Sequence, residues 1–182
     1  MARLNYLDPK TAPEGSKELL SKMADLNIFR MLAHSPTVYG PFVRLGNAIL
    51  FKSKLDPVLR EMAIVRVGHL SKASYELFQH ERISRQVGMA EEKIAALKDG
   101  PEAPVFNETE RDVLRFTDDV VKNVRASDEI YEAVARRLDS NQMIELTVTI
   151  GYYMMVCRFL ETTGVEIEPP GQSEGVKLRK WD

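Results

Sequence analysis

The sequence predicts an all-α protein, a single-domain helical bundle of about eight or nine helices. Three observations carry this reading. Apolar residues recur at helical spacing along most of the chain. Helix-start chemistry recurs between the apolar runs, as Ser or Asp before Pro and as Asn with Glu three residues on. No stretch alternates apolar and polar residues as a half-buried strand does, and no repeat of fixed period appears.

The elements follow in order. After an extended lead containing Pro9 and Pro13, Ser16 is expected to cap "KELLSKMADL". "NIFRMLAH" reads as a second, short helix. Ser35-Pro36 restarts the chain, with Ser as N-cap and Pro where a missing N–H costs nothing, and the helix runs through "TVYGPFVRLGNAILF" with a bend expected at Pro41. Asp56-Pro57 repeats that chemistry and opens "VLREMAIVRVGHLS". "ASYELFQHERISRQV" follows and stops at Gly88. "AEEKIAALKD" is a short helix ending at Gly100-Pro101. Asn107 with Glu110 makes a capping box for "ETERDVLRFTDDVVKN", and Ser127 caps "DEIYEAVARRL". Asp139 or Ser140 begins the last long helix, which ends near Gly164. Residues 1–168 are thus read as one helical domain with its core at 25–164, and 169–182 as an extended tail. Within that tail Leu178 and Trp181 would favour a surface to lie on, such as a neighbouring subunit; a disordered end is the alternative.

Composition narrows the function. Apolar residues make up 44% and charged residues 29% of 182 residues, the balance of an ordinary soluble globular protein. A net charge of −2, with basic residues dispersed, argues against nucleic acid as a partner. The longest apolar run, "MIELTVTIGYYMMVCRFL", is interrupted by Glu145 and Arg158 and reads as a core helix rather than a membrane span. The N-terminus lacks the apolar region of a signal peptide, and the only cysteine, Cys157, rules out an internal disulfide and any CxxC site. A cytoplasmic location is the expectation.

Few residues could do chemistry. Glu61 lies in a helical stripe of Pro57, Val58, Ile64, Val65 and Gly68, where a carboxylate needs a partner; Arg60 or Arg66 could supply one. Glu76 and His80 are four residues apart and so differ by only ~40° around a helix. A carboxylate there would orient the imidazole and raise its affinity for a proton, making an acid/base pair; an exposed pair of small energetic worth is the other reading. His69 is ~80° around the helix from Glu61 and could face the same cleft. His34, at a helix end, reads as structural. Glu145 reads as structural too, pairing with Arg60, Arg66 or Arg158. Tyr152, Tyr153, Met154 and Met155 on the last helix read as core or pocket wall. The E-x-x-x-H spacing is not the E-x-x-H of di-iron bundles, and no metal site is expected.

Three segments together, "LAHSPTVYGPFVRLGNAIL", "LDPVLREMAIVRVGHLSKASYELFQHERISRQVGMAEEKIAAL" and "IELTVTIGYYMMVCRFLETTGVEIE", resemble the carboxymuconolactone decarboxylase-like and alkylhydroperoxidase D-like family, over roughly residues 25–168. The peroxidase branch of that family carries a Glu followed by C-x-x-C-x-x-x-H. Glu61 matches the Glu and His80 the His, while the thiol positions fall on Ala73 and Glu76 and an intervening His on Tyr75. Without those thiols, disulfide-cycling peroxidase chemistry is not expected.

The resemblance implies an alkylhydroperoxidase D-like bundle that assembles as a homo-oligomer. It implies a lyase that needs no cofactor and removes CO₂ from a small carboxylated lactone or related enolisable acid, in aromatic catabolism. Glu61, Glu76 and His80 are the expected catalytic residues, with Tyr75, His69, Arg66 and Tyr152 binding the small-molecule substrate and Tyr152 and Met155 in the pocket wall. A non-catalytic oligomeric binder on the same fold is the alternative, and a residual peroxidase using Cys157 a more remote one.

Overall fold

The structure, a computed structural model, describes residues 1–23 and 25–170. Among these residues it contains nine α-helices and no strand. Leu178 and Trp181 lie outside the described residues. The chain divides into two compact units, one built from Met1–Lys52 with the segment from Leu160 onward, the other from Ser53–Phe159.

In the first unit, α1 (Glu14–Lys22) and α2 (Asn27–Leu32) both pack on α3 (Pro36–Phe51). Helix α1 starts earlier than its cap signal suggested. Pro13 is its N-cap and Ser16 is buried inside it, because the prolyl φ already fits a helix entry and Leu20 must reach the core. Helix α3 begins at Ser35-Pro36 as expected and continues as one element through Pro41. The ends of the chain segment are clasped. Glu168, nearly buried, accepts a 2.6 Å hydrogen bond from the Asn27 backbone, and the Arg3 N–H donates to the Thr163 carbonyl. His34 spends its Nε2 on the Asn5 carbonyl at 2.9 Å, which makes it a brace for the N-terminal lead.

The second unit is organised by α4 (Pro57–Ser71). Every residue from Arg60 to Gly68 is buried, so this helix is enclosed on all sides. Asp56 caps it, its carboxylate accepting from the N–H groups of Val58 and Leu59. Around it lie α5 (Ser74–Gln86), α6 (Glu91–Ala96), α7 (Glu108–Asn123), α8 (Asp128–Ala135) and α9 (Ser140–Thr163), whose last turn belongs to the first unit. Met62 and Val65 of α4 share a core with Met89, Ile94, Leu97, Phe106 and Leu114. Asn107 and Glu110 form the expected capping box of α7, and Ser127 caps α8. Helix α9 starts with a reciprocal pair in which Asp139 and Gln142 each accept from the other's backbone N–H. Among the described residues its Glu145 pairs with no arginine. It accepts from Ser53 Oγ and from the N–H groups of Lys54 and Leu55, holding the turn that leads into α4. Helix α9 is long and apolar enough to cross a membrane by length and composition, but half of its most apolar window is buried in the protein.

Helix α6 ends four residues short of Gly100, and the cause is Arg66. Its Nη1 draws in the carbonyls of Leu97 and Lys98 at 2.9 and 3.1 Å, while Nε and Nη2 grip both oxygens of Asp118 on α7 at 2.6 and 2.8 Å. Gly100, at φ +94°, passes so close that a Cβ there would stand 3.0 Å from the same guanidinium. Burial works against the charged Asp118, but hydrogen bonds from Arg66 and Lys122 outweigh it and hold the carboxyl below its usual range. Removing Arg66 strands a carboxylate and two carbonyls. Arg66→Ala is expected to destabilise the protein by about 3 kcal/mol or more, read as a lower urea midpoint. A loss below about 1 kcal/mol would show that this ion pair does not brace α4 against α7.

Candidate active site

Two neighbouring helices supply the ionisable residues. Helix α4 ends in a tight turn, with Lys72 left-handed at φ 53° and the Ala73 N–H returning to the Gly68 carbonyl at 3.0 Å. Helix α5 therefore starts at once and runs back along α4. Gly68 permits the close approach, since a Cβ there would lie 2.9 Å from Leu77 and 3.8 Å from the Glu76 stem. This brings Glu76 and His80, one turn apart on α5, against Glu61 of α4.

The contacts form a continuous line. Arg60 Nε donates to Glu61 Oε1 at 3.1 Å. Glu61 Oε2 lies 2.7 Å from His80 Nδ1. His80 Nε2 lies 3.1 Å from Glu76 Oε1. All four side chains are buried, Glu61 completely. The bond to the Glu61 carboxylate places the imidazole hydrogen on Nδ1, so the Nε2 lone pair of the neutral ring faces Glu76. That last contact is close but poorly aligned, and Glu76 Oε1 meets no donor in hydrogen-bonding geometry among the described residues. Catalytic hydrogen bonds are commonly of this loose kind before a ligand arrives. The edge of Tyr153 from α9 closes the His80 ring, with centroids 4.8 Å apart at 79°, and Tyr152 stands edge-on behind it at 5.2 Å.

Protonation follows from burial and charge. Burial pushes the Glu76 carboxyl up to about 7, with Glu61 adding to the rise and His80 opposing it. Burial disfavours the His80 imidazolium, yet the carboxylates of Glu76 and Glu61 and the Glu61 hydrogen bond outweigh that and raise its proton affinity. Burial raises both tyrosines well above their usual range, so they remain neutral phenols. The pair His80–Glu76 can thus hold or release one proton near neutral pH, the property a general acid needs.

The expected catalytic residues Glu61, Glu76 and His80 come together. Tyr152 stands near them, with Tyr153 between it and His80. Tyr75 is fully buried in the first turn of α5. Arg66 does not join them. It is ~140° around α4 from Glu61 and spends Nε, Nη1 and Nη2 on Asp118, Leu97 and Lys98. His69 lies on that same side, where the charged groups acting on it are Arg66, Lys98 and Asp99; burial and the two cations lower its proton affinity. Met155 is 46% exposed and is not part of a wall. The sequence offered Arg60 as one of two partners for Glu61 and Tyr153 as core or pocket wall, and the structure places Arg60 on Glu61 and Tyr153 against the His80 ring. Arg60 had only its adjacency to Glu61 as a signal, and adjacent helical residues do not normally face each other. Among the described residues no cluster of His, Cys, Asp and Glu has the geometry to hold a metal ion.

Residues 36–119, which include Glu61, Glu76 and His80, match the Carboxymuconolactone decarboxylase family. The fold as a whole is AhpD-like. It matches the alkylhydroperoxidase AhpD core of an uncharacterized peroxidase-related protein from Ralstonia eutropha JMP134 with a TM-score of 0.82, at 17% identity and over 98% of both chains. The debrominase Bmp8, solved in complex with 2,3,4-tribromopyrrole, matches with a TM-score of 0.72 at 20% identity over 92% of this chain and 94% of its own. In sequence, the uncharacterized protein YdfG of Bacillus subtilis (strain 168) is 23% identical over 101 residues, 54% of this chain and 69% of that protein. The family includes enzymes, and with a single cysteine this chain has no CxxC motif.

Burial of Glu76 has a consequence for stability. Its proton is held more tightly in the fold than in the unfolded chain, so its contribution is complete below about pH 4.5 and is lost as pH rises through about 7. The raised affinity of His80 has the same sign. Glu76→Gln removes the carboxylate that must be buried at high pH. The variant is expected to gain stability over the wild type between pH 5 and pH 8, by on the order of 3 kcal/mol. Chemical denaturation at both pH values reads the difference, and a difference independent of pH would contradict the assignment.

Proposed function

We propose that this chain is an acid/base lyase that removes CO₂ from a small carboxylated lactone or a related enolisable acid. The observation that carries this reading is the buried line Glu61–His80–Glu76, in which Glu76 holds its proton up to about pH 7. When the carboxylate of such an acid leaves as CO₂, the electron pair of the broken C–C bond flows into the conjugated alkene, and the far carbon takes up a proton. Glu76 is the donor and His80 returns a proton to it. Glu61 fixes the imidazole, and Tyr152 and Tyr153 keep that side apolar, which favours loss of charge from the substrate carboxylate. Cys157 is fully buried on α9 and takes no part.

The test is CO₂ release from a panel of carboxylated lactones and β-keto acids. Glu76→Gln and His80→Ala are each expected to lower turnover about 100-fold or more while helical content is kept. Wild-type protein inert on the whole panel, or variants as fast as wild type on an active substrate, would overturn the reading.

A further inference from the structure

Helix α4 buries two arginines, and they use their donors differently. Arg66 engages all three of its nitrogens, with the Asp118 carboxylate and the carbonyls of Leu97 and Lys98. Arg60 is only 5% exposed and engages one, Nε, with Glu61. Among the described residues its Nη1 and Nη2 groups meet no acceptor. Neither nitrogen is fully enclosed, so the end of the fork is open to an arriving acceptor. The planar fork left open suits a carboxylate, which can take two parallel N–H bonds.

We propose that Nη1 and Nη2 of Arg60 anchor the carboxylate of the substrate, and that seating this anion draws a proton onto the His80–Glu76 pair. The proposal rests on the acid/base reading above and adds to it the group that binds the acid. The charge balance supports it. Arg60 and Glu61 cancel. His80 and Glu76 sharing one proton are neutral together, whether the proton sits on the carboxyl or as an imidazolium–carboxylate pair. The groups facing that pair are Arg60 and Glu61 from α4 and Tyr152 and Tyr153 from α9; burial keeps both phenols neutral. An incoming carboxylate leaves one buried negative charge uncompensated, and the His80–Glu76 pair, which exchanges a proton near neutral pH, can take one up to restore neutrality. Decarboxylation then consumes one: RCOO⁻ and H⁺ become RH and CO₂. Binding would load the same proton that the reaction spends.

The test uses the full chain and γ-butyrolactone carboxylate, a saturated lactone acid with no alkene to accept the electrons. Calorimetric titration near neutral pH, in phosphate and in Tris, gives the affinity and the protons exchanged. Wild type is expected to bind with uptake of about one proton. Arg60→Lys keeps a cation for Glu61 but lacks the fork, and is expected to bind about tenfold more weakly or worse. Arg60→Gln should lose binding if it folds. His80→Gln should still bind, with proton uptake abolished. No binding by wild type at tens of millimolar, full affinity in Arg60→Lys, or wild-type binding without proton uptake would each overturn the proposal. Probe binding through Arg60 with proton uptake, but no CO₂ release from any substrate, would remove the lyase reading and leave the carboxylate site standing.

Discussion

The short hydrogen bond between Glu61 and His80 is the constraint on which the site depends. It joins α4 to α5 through two side chains that neither helix could bury alone. A carboxylate with no exposure and an imidazole with almost none are tolerable only as partners, and each leaves a second atom to be satisfied. Arg60 takes the free oxygen of Glu61, and Glu76 stands at the free nitrogen of His80. The line of four groups therefore follows from burying one pair in a protein core. Compensation is least complete at its Glu76 end.

The enclosed helix α4 also explains why site and scaffold are so closely joined. One face carries Glu61 toward α5, while the face ~140° away carries Arg66 toward α6 and α7. The two clusters share a backbone without sharing a partner. Arg66 sets where α6 stops and how α4 meets α7, and so fixes the platform from which Glu61 reaches His80. The acid/base pair thus gains rigidity from an ion pair that lies on another face of the same helix.

Much of the fold was legible because helix caps are local chemistry. Asp56-Pro57, the Asn107–Glu110 box, Ser127, Gly88 and Gly164 each marked a boundary that the structure keeps. The misplaced boundaries have tertiary causes. Ser16 is buried in α1 instead of capping it, and the end of α6 is set by an arginine thirty residues earlier. In the site, Glu61, Glu76 and His80 were legible by combining a one-turn spacing with the family pattern. Arg66 and His69 lie instead on the side of α4 that meets Asp118, Lys98 and Asp99, because an ~80° offset from Glu61 leaves His69 as near to Arg66 as to the cleft, and Arg66 finds its partners on α7 and after α6. Arg60 was legible only as one of two possible partners for Glu61, and Tyr153 only as core or pocket wall, since one acts on its immediate neighbour and the other arrives from a helix more than seventy residues away.

Gly68 carries a consequence that no charged residue does. It is the point where the backbone of α4 is bare enough for Leu77 and the stem of Glu76 to lie against it. A single methyl group there would displace Leu77 and rest on the carbon chain that carries the Glu76 carboxyl. The poorly aligned 3.1 Å approach between Glu76 and His80 is thus metered by a residue with no side chain. Relatives that substitute this position would be expected to hold this pair at a different separation, with a different willingness to pass a proton, while keeping Glu61, Glu76 and His80 unchanged.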